Sequence, residues 1–236
     1  MPAVKTALAG EYGKEQKKMP VTGAKKPART ALRRQREKEQ RHETILGAAE
    51  TLFVKKGYHQ TSLEEIAEAA EVSVGTVYFY FKNKEELLIS LMQKVGAHLR
   101  VMLQEAFLKK QGTMEGIVEA GTVFFQDFCR SHPGHASIFF RESGGRSARV
   151  ETERKRLYVK LISDLEKALV RVRSETGTTY LSAGSEELMA VCILGIYERV
   201  AEYYLLWHDR ADDITEAGRE AVAFTVAGIQ GLMTGR

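Results

Sequence analysis

A chain of 236 residues, 44% hydrophobic and 28% charged, is long enough to bury one large core or two smaller ones without disulfide staples. No uncharged apolar run, Ala221 to Ile229 included, approaches the roughly 18 residues of a membrane span. No apolar stretch of signal-peptide length opens it, and Cys129 and Cys192 are too few for a disulfide framework, so a cytoplasmic protein with no membrane partner is expected. The net charge of +4 hides an asymmetry. The first 41 residues hold twelve Lys and Arg against four Glu, leaving 23 basic and 27 acidic residues for the other 195. Such a basic end is either a solvated tail or an arm for a polyanion.

Residues 1–29 carry seven of those basic groups against Glu11 and Glu15, with Gly10, Gly13, Pro20, Gly23 and Pro27 and almost no apolar periodicity, so a flexible arm is expected there. From about Ala31 the pattern turns helical. Ile45, Ala48, Ala49, Leu52 and Phe53 recur at three-and-four spacing, and Gly57 is placed to end that helix. In TSLEEIAEAA, Thr61 or Ser62 offers an N-cap with Glu64 or Glu65 three residues on, a capping box in either register. Leu63, Ile66, Ala67 and Ala70 supply the buried face of this second helix. A break at Glu71 to Ser73 leads into a short third helix from about Val74 to Phe81, with Val77 and Phe81 facing inward. A long helix followed by two short ones across a tight turn makes a helix-turn-helix. Further helices are expected at Lys84–Lys109, Thr113–Ser131, Gly134–Glu142, Arg146–Thr176, Ser185–His208 and Asp213–Met233, separated by glycine or proline. The expected fold class is all-α, with about nine helices.

The segment Gly57 to Leu88, GYHQTSLEEIAEAAEVSVGTVYFYFKNKEELL, resembles the DNA-binding segment of the TetR family of bacterial transcriptional regulators. The residues that carry the resemblance include Gly57, Tyr58, Thr61, Ser62, Ile66, Ala67, Val72, Gly75, Thr76, Tyr78, Tyr80, Phe81 and Lys84. Glu71 departs from it, standing where the family commonly has a glycine. A left-handed backbone there would cost a non-glycine residue roughly 1 kcal/mol. The resemblance implies a helix-turn-helix DNA-binding domain over 30–83 and a helical ligand-binding and dimerisation domain over 84–236. It also implies a homodimer through the last two helices, double-stranded operator DNA as partner and a small-molecule effector. Gly218, Ala221, Ala227, Gly228 and Gly231 would let those last helices approach closely.

A recognition helix entering the major groove needs small residues near its N-terminus, which Gly75 and Thr76 provide. Ser73 and Thr76 are expected to bond base edges or phosphate, and Val74 and Phe79 to pack on thymine methyls. Tyr78, Tyr80 and Lys84 are expected at the level of the phosphates, where contacts position without reading sequence. Thr61 and Ser62, opening the second helix, complete the expected DNA-binding set. For the effector, Phe124, Phe128, Phe139, Tyr158, Tyr197 and Trp207 are the expected aromatic pocket. HPGHASIFFRESGG resembles the segment that follows HP in family members responding to acyl or aromatic effectors.

Cys129, His132 and His135 are metal-ligand types at three-residue spacing, yet no fourth ligand is evident and Pro133 breaks the helix between the histidines, so neither metal nor cofactor is expected. With no phosphate loop, paired-histidine zinc helix or nucleophile elbow, no catalytic residue is expected either. Three functions follow in order: a dimeric repressor released by a small apolar, acyl or aromatic effector; a DNA-binding protein of the same fold whose large domain serves protein partners or DNA spreading; and an enzyme.

Overall fold

A computed structural model describes residues 29–142 and 147–234; the basic arm before residue 29 and the Gly144-Gly145 turn lie outside the described residues. Among them are nine α-helices: α1 Arg29–Lys56, α2 Leu63–Ala69, α3 Val74–Tyr80, α4 Lys84–Lys109, α5 Met114–Val123, α6 Pro133–Ala136, α7 Ala148–Thr176, α8 Ser185–Ala201 and α9 Ile214–Leu232. A two-residue antiparallel bridge, β1 Thr179–Tyr180 with β2 Met233–Thr234, ties the start of α8 to the end of α9. The all-α class is as the periodicity predicts. The chain divides into two compact units, Met1–Lys38 and Glu39–Arg236. In the first, the described part is the exposed, basic beginning of α1, where Arg33 donates to Glu37 at 2.7 Å. The second holds one continuous core running from Ile45 to Ile229.

The local chemistry explains where the first helices begin and end. Gly57, at φ 85°, closes α1, its N–H donating to the Phe53 carbonyl at 2.9 Å. Ser62 is the N-cap of α2 and Glu65 completes a capping box: the Ser62 hydroxyl accepts from the Glu65 N–H at 3.1 Å, and the Ser62 N–H donates to the Glu65 carboxylate at 2.8 Å. The Lys56 ammonium also bonds that carboxylate and, with Ser62, holds its pKa down to about 2. A carboxyl depressed in this way contributes stability above its ordinary value of 4.5 and loses it as pH falls toward 2.

Glu71 takes the left-handed backbone its departure from glycine suggests, at φ 53°. Glu71→Gly is therefore expected to stabilise the protein by about 0.5–1 kcal/mol, because relief of that strain outweighs the extra freedom of the unfolded chain. Chemical denaturation checks the sign, and a lower midpoint for the variant would show the turn is not strained.

The helices beyond α4 are less regular than expected. Three of them continue into, or are followed by, wider π-helical turns: Phe124–Arg130 after α5, Ser137–Glu142 after the four-residue α6 and Glu202–Trp207 after α8. Across the first of these turns Phe124, Phe125 and Phe128 are all buried, with Phe124 and Phe125 edge-on at 4.9 Å and both against Tyr197. Among the glycines expected to admit a partner helix, Gly218 is instead used within the subunit. A Cβ there would lie 2.3 Å from Phe125, whereas Gly228 and Gly231 face open space.

Candidate nucleic-acid interface and ligand cavity

Helices α2 and α3 pack through Leu63, Ile66, Ala67, Val77 and Phe81 onto α1 and the first turns of α4, which leaves the opposite side of α3 outward. Ser73 caps α3: its hydroxyl accepts from the Thr76 N–H at 3.1 Å and stands 2.8 Å from the Thr76 hydroxyl. This pair fixes the start of the helix while both side chains stay at the surface. Gly75 is exposed beside it, with only Ser73 Oγ near the place a Cβ would take. The aromatic run then splits by face. Val77 and Phe81 are buried, Phe79 is 73% exposed and Tyr78 about half exposed, and Tyr80 lies half-buried against His42 of α1. Ser73, Gly75, Thr76, Tyr78 and Phe79 thus share one outward surface, with Val74 and Tyr80 at its margins.

Three of the expected DNA-binding residues are engaged elsewhere. Thr61 is only 2% exposed and its hydroxyl donates to the Gly57 carbonyl at 2.9 Å. Ser62 is occupied as the α2 cap. Lys84 donates to the carbonyls of Tyr58 at 2.7 Å, Thr61 at 2.8 Å and His59 at 3.3 Å, and lies over the Tyr58 ring. An ammonium has three N–H donors, so the α1–α2 turn takes the charge that was expected on phosphate. The reason is geometric: that turn ends in carbonyls with no helical partner, and the first turn of α4 passes beneath them. Lys84→Met is expected to cost about 1–3 kcal/mol of stability by removing the charged donor that these carbonyls share. A urea titration reads this directly; an unchanged midpoint together with weaker DNA binding would return Lys84 to the phosphate.

The large helices enclose a cavity of about 290 Å³ between α4, α5, α7 and α8. Leu103, Phe107, Ile117, Phe124, Leu161 and Tyr197 form its apolar wall. Burial pushes the Tyr197 hydroxyl up to about 12, and its partner is the Thr225 hydroxyl at 3.3 Å. Arg100, Lys167 and Arg171 line the same cavity against a single acidic residue, Asp164. Arg100 holds Asp164 with two bonds, and that pairing raises the guanidinium pKa further. Arg171 is held to the Gln111 carbonyl at 2.8 Å.

Only Phe124 and Tyr197 of the six aromatics expected around a pocket line this cavity. Phe128 and Phe139 are buried in the core beside it. Tyr158 stacks on Phe139 and bonds Glu198, and Trp207 is 59% exposed beneath Arg199. Aromatic spacing marked the core correctly and the cavity poorly, because the cavity wall is mostly leucine and isoleucine. The signal missed in the sequence was the basic pair Lys167 and Arg171, one turn apart on α7.

The family model for bacterial regulatory proteins of the tetR family matches residues 45–91, the segment from mid-α1 to the second turn of α4. The fatty acid metabolism regulator protein of Bacillus subtilis is 38% identical over 79 residues, 33% of this chain and 40% of that protein. The transcriptional activator FasR of Mycolicibacterium smegmatis is 30% identical over 118 residues, 50% of this chain and 54% of the activator. The chain thus spans about half, or less, of the length of these two relatives. Among solved structures, FadR of Bacillus subtilis in complex with stearoyl-CoA superposes with a TM-score of 0.69 at 22% identity, covering 79% of this chain and 98% of that one, a likeness of fold. Residues 45–91 thus carry the DNA-binding domain of the tetR family of bacterial regulatory proteins.

Proposed function

We propose that the protein is a cytoplasmic, dimeric repressor that binds operator DNA through residues 30–83 and leaves it when an effector fills the cavity of residues 84–236. Its work is binding rather than catalysis. The course of α4 carries this reading. Lys84 in its first turn holds the α1–α2 turn, while Leu103 and Phe107 wall the cavity, about 28–35 Å farther along the same helix at 1.5 Å per residue. A shift of α4 forced by a ligand therefore moves the base of the helix-turn-helix. An effector releases DNA only if it binds the released conformation more tightly.

The dimer contact is assigned to α8 and α9. Leu188, Val191, Cys192 and Gly195 form an exposed stripe on α8, and Phe224, Ala227, Gly228 and Gly231 another on α9. Small residues in both stripes favour close helix approach. The surface Ser73, Val74, Gly75, Thr76, Tyr78, Phe79 and Tyr80 is assigned to the operator.

The effector class follows from the cavity. Leucine and phenylalanine walls suit an apolar chain, and Arg100, Lys167 and Arg171 outweigh Asp164 at its polar side, so an acyl chain with an anionic head, such as an acyl-CoA, fits better than a neutral molecule. The stearoyl-CoA bound to the Bacillus subtilis FadR supports that choice. Operator affinity measured with acyl-CoAs of several lengths, and with the matching neutral alcohols, is expected to fall at least tenfold with one of the anions and much less with the alcohols. If no ligand changes it, the large domain serves a protein partner instead. Likeness to the activator FasR favours activation as the second reading of the output; a footprint upstream of the promoter, in place of one overlapping it, would select that reading.

A further inference from the structure

Cys129, His132 and His135 drew attention in the sequence as metal-ligand types, and the fold replaces one of them. Cys129 is buried in the core, where desolvation pushes its thiol pKa up, and is unsuited to a thiolate role. In its place His98 of α4 comes beside the two histidines. The ring centres of His132 and His135 are 5.1 Å apart, those of His98 and His135 5.9 Å, and those of His98 and His132 6.3 Å. Imidazoles sharing one tetrahedral ion, with metal–nitrogen bonds of about 2.0–2.1 Å, have centres on the order of 5 Å apart.

Two of the rings carry outside hydrogen bonds of the kind that support metal ligands, although the His132 and His135 rings lie nearly parallel, 12° apart. The Glu50 carboxylate on α1 accepts from His135 Nε2 at 3.0 Å, and that bond lowers the Glu50 pKa. The opposite nitrogen, His135 Nδ1, is buried and has no hydrogen-bond partner. The Asp127 carbonyl accepts from His132 Nδ1 at 2.8 Å, so in the neutral ring the lone pair of His132 sits on Nε2. A carboxylate or backbone carbonyl on the far nitrogen is the usual support of a ligating histidine. His135 thus keeps a buried nitrogen without a partner on a ring whose neighbours are two other imidazoles.

We propose that His98, His132 and His135 form a three-histidine site for a first-row divalent cation of the zinc class, with Glu50 as the outer support of His135 and one coordination position open to solvent. Among the described residues no three His, Cys, Asp or Glu groups are already arranged to hold an ion, so binding requires ring rotation, and His98 and His132 stand at the surface where rotation meets little resistance. Imidazole nitrogen selects zinc, copper, nickel or cobalt over magnesium or calcium. The site ties α4 to the His132–Pro133 turn and, through Glu50, to α1, so an ion there would steady α4 against the first helix. Metal binding itself does not depend on the regulatory reading.

The test is a titration of the full-length, metal-stripped protein with zinc against a chromogenic chelator, repeated with cobalt for its visible spectrum. One equivalent per chain is expected, with a four-coordinate cobalt spectrum. His98→Gln and His135→Gln should each weaken binding at least tenfold, and Glu50→Gln about 10–100-fold. Cys129→Ser should leave stoichiometry and spectrum unchanged. Circular dichroism of each variant separates loss of the site from loss of the fold. No binding at micromolar zinc, or binding that survives both histidine substitutions, would overturn the proposal.

Discussion

Phe224→Arg is expected to turn a dimer into a monomer. Phe224 is 70% exposed on α9, in line with Ala227, Gly228 and Gly231, so the substitution removes nothing from the core of the isolated subunit. In a two-fold dimer each copy of the side chain would be covered, and burying one phenylalanine contributes about 1.5–3 kcal/mol. Arginine forfeits that contribution twice and brings two like charges toward the same axis. A loss of at least 3 kcal/mol raises the dimer dissociation constant more than about 100-fold. Sedimentation velocity reads the state directly, with operator affinity expected to collapse in parallel, because one helix-turn-helix reaches only one half-site. A variant that stays dimeric would remove α9 from the interface.

The second large effect is expected at Gly75. Its Cβ position has only Ser73 Oγ nearby, at 3.8 Å, so Gly75→Leu should fold normally and gain a little helix stability. The added side chain projects from the first turn of α3, where the helix must approach base edges closely. Operator affinity should drop at least about 100-fold, near 2.7 kcal/mol, while the melting temperature holds or rises slightly. Undiminished affinity would mean that the start of α3 stays out of the groove.

Much of the scaffold was legible because its signals are local. The Ser62–Glu65 capping box, the Gly57 stop and the Ser73 break are set by side-chain and backbone hydrogen bonds within four residues, and α4 ends where its apolar periodicity does. Glu71 was legible in part: a non-glycine residue at a glycine position left a left-handed backbone or an altered turn open, and the chain takes the left-handed backbone. The π-helical turns were not: FFQDFCR and EYYLLW read as ordinary helix, with no local residue that marks the wider turn.

The sites depend on contacts between distant residues, which is why they were read less well. Lys84 looked like a phosphate contact because it opens α4, whose N-terminus favours an anion, and because the resemblance implies it, whereas its partners, Tyr58 and Thr61, lie more than twenty residues away. The cavity was sought among aromatics, yet its wall combines Leu103, Ile117 and Leu161 from three helices. His98, 34 positions before His132, carried no sequence signal that it would join the pair. By contrast Ser73, Gly75, Thr76, Tyr78 and Phe79 were gathered correctly onto one outward face, because seven residues of a single helix fix that face.

The central claim is that two copies of this chain read a symmetric operator with α3. Selection of duplexes from a random pool by the full-length protein, followed by sequencing, tests it most directly. The account predicts an enriched palindrome whose half-sites are read by recognition helices about 34–36 Å apart or a multiple of that spacing, and its loss on selection with Gly75→Leu. A pool that shows no enrichment, or that yields a single asymmetric half-site, would contradict it.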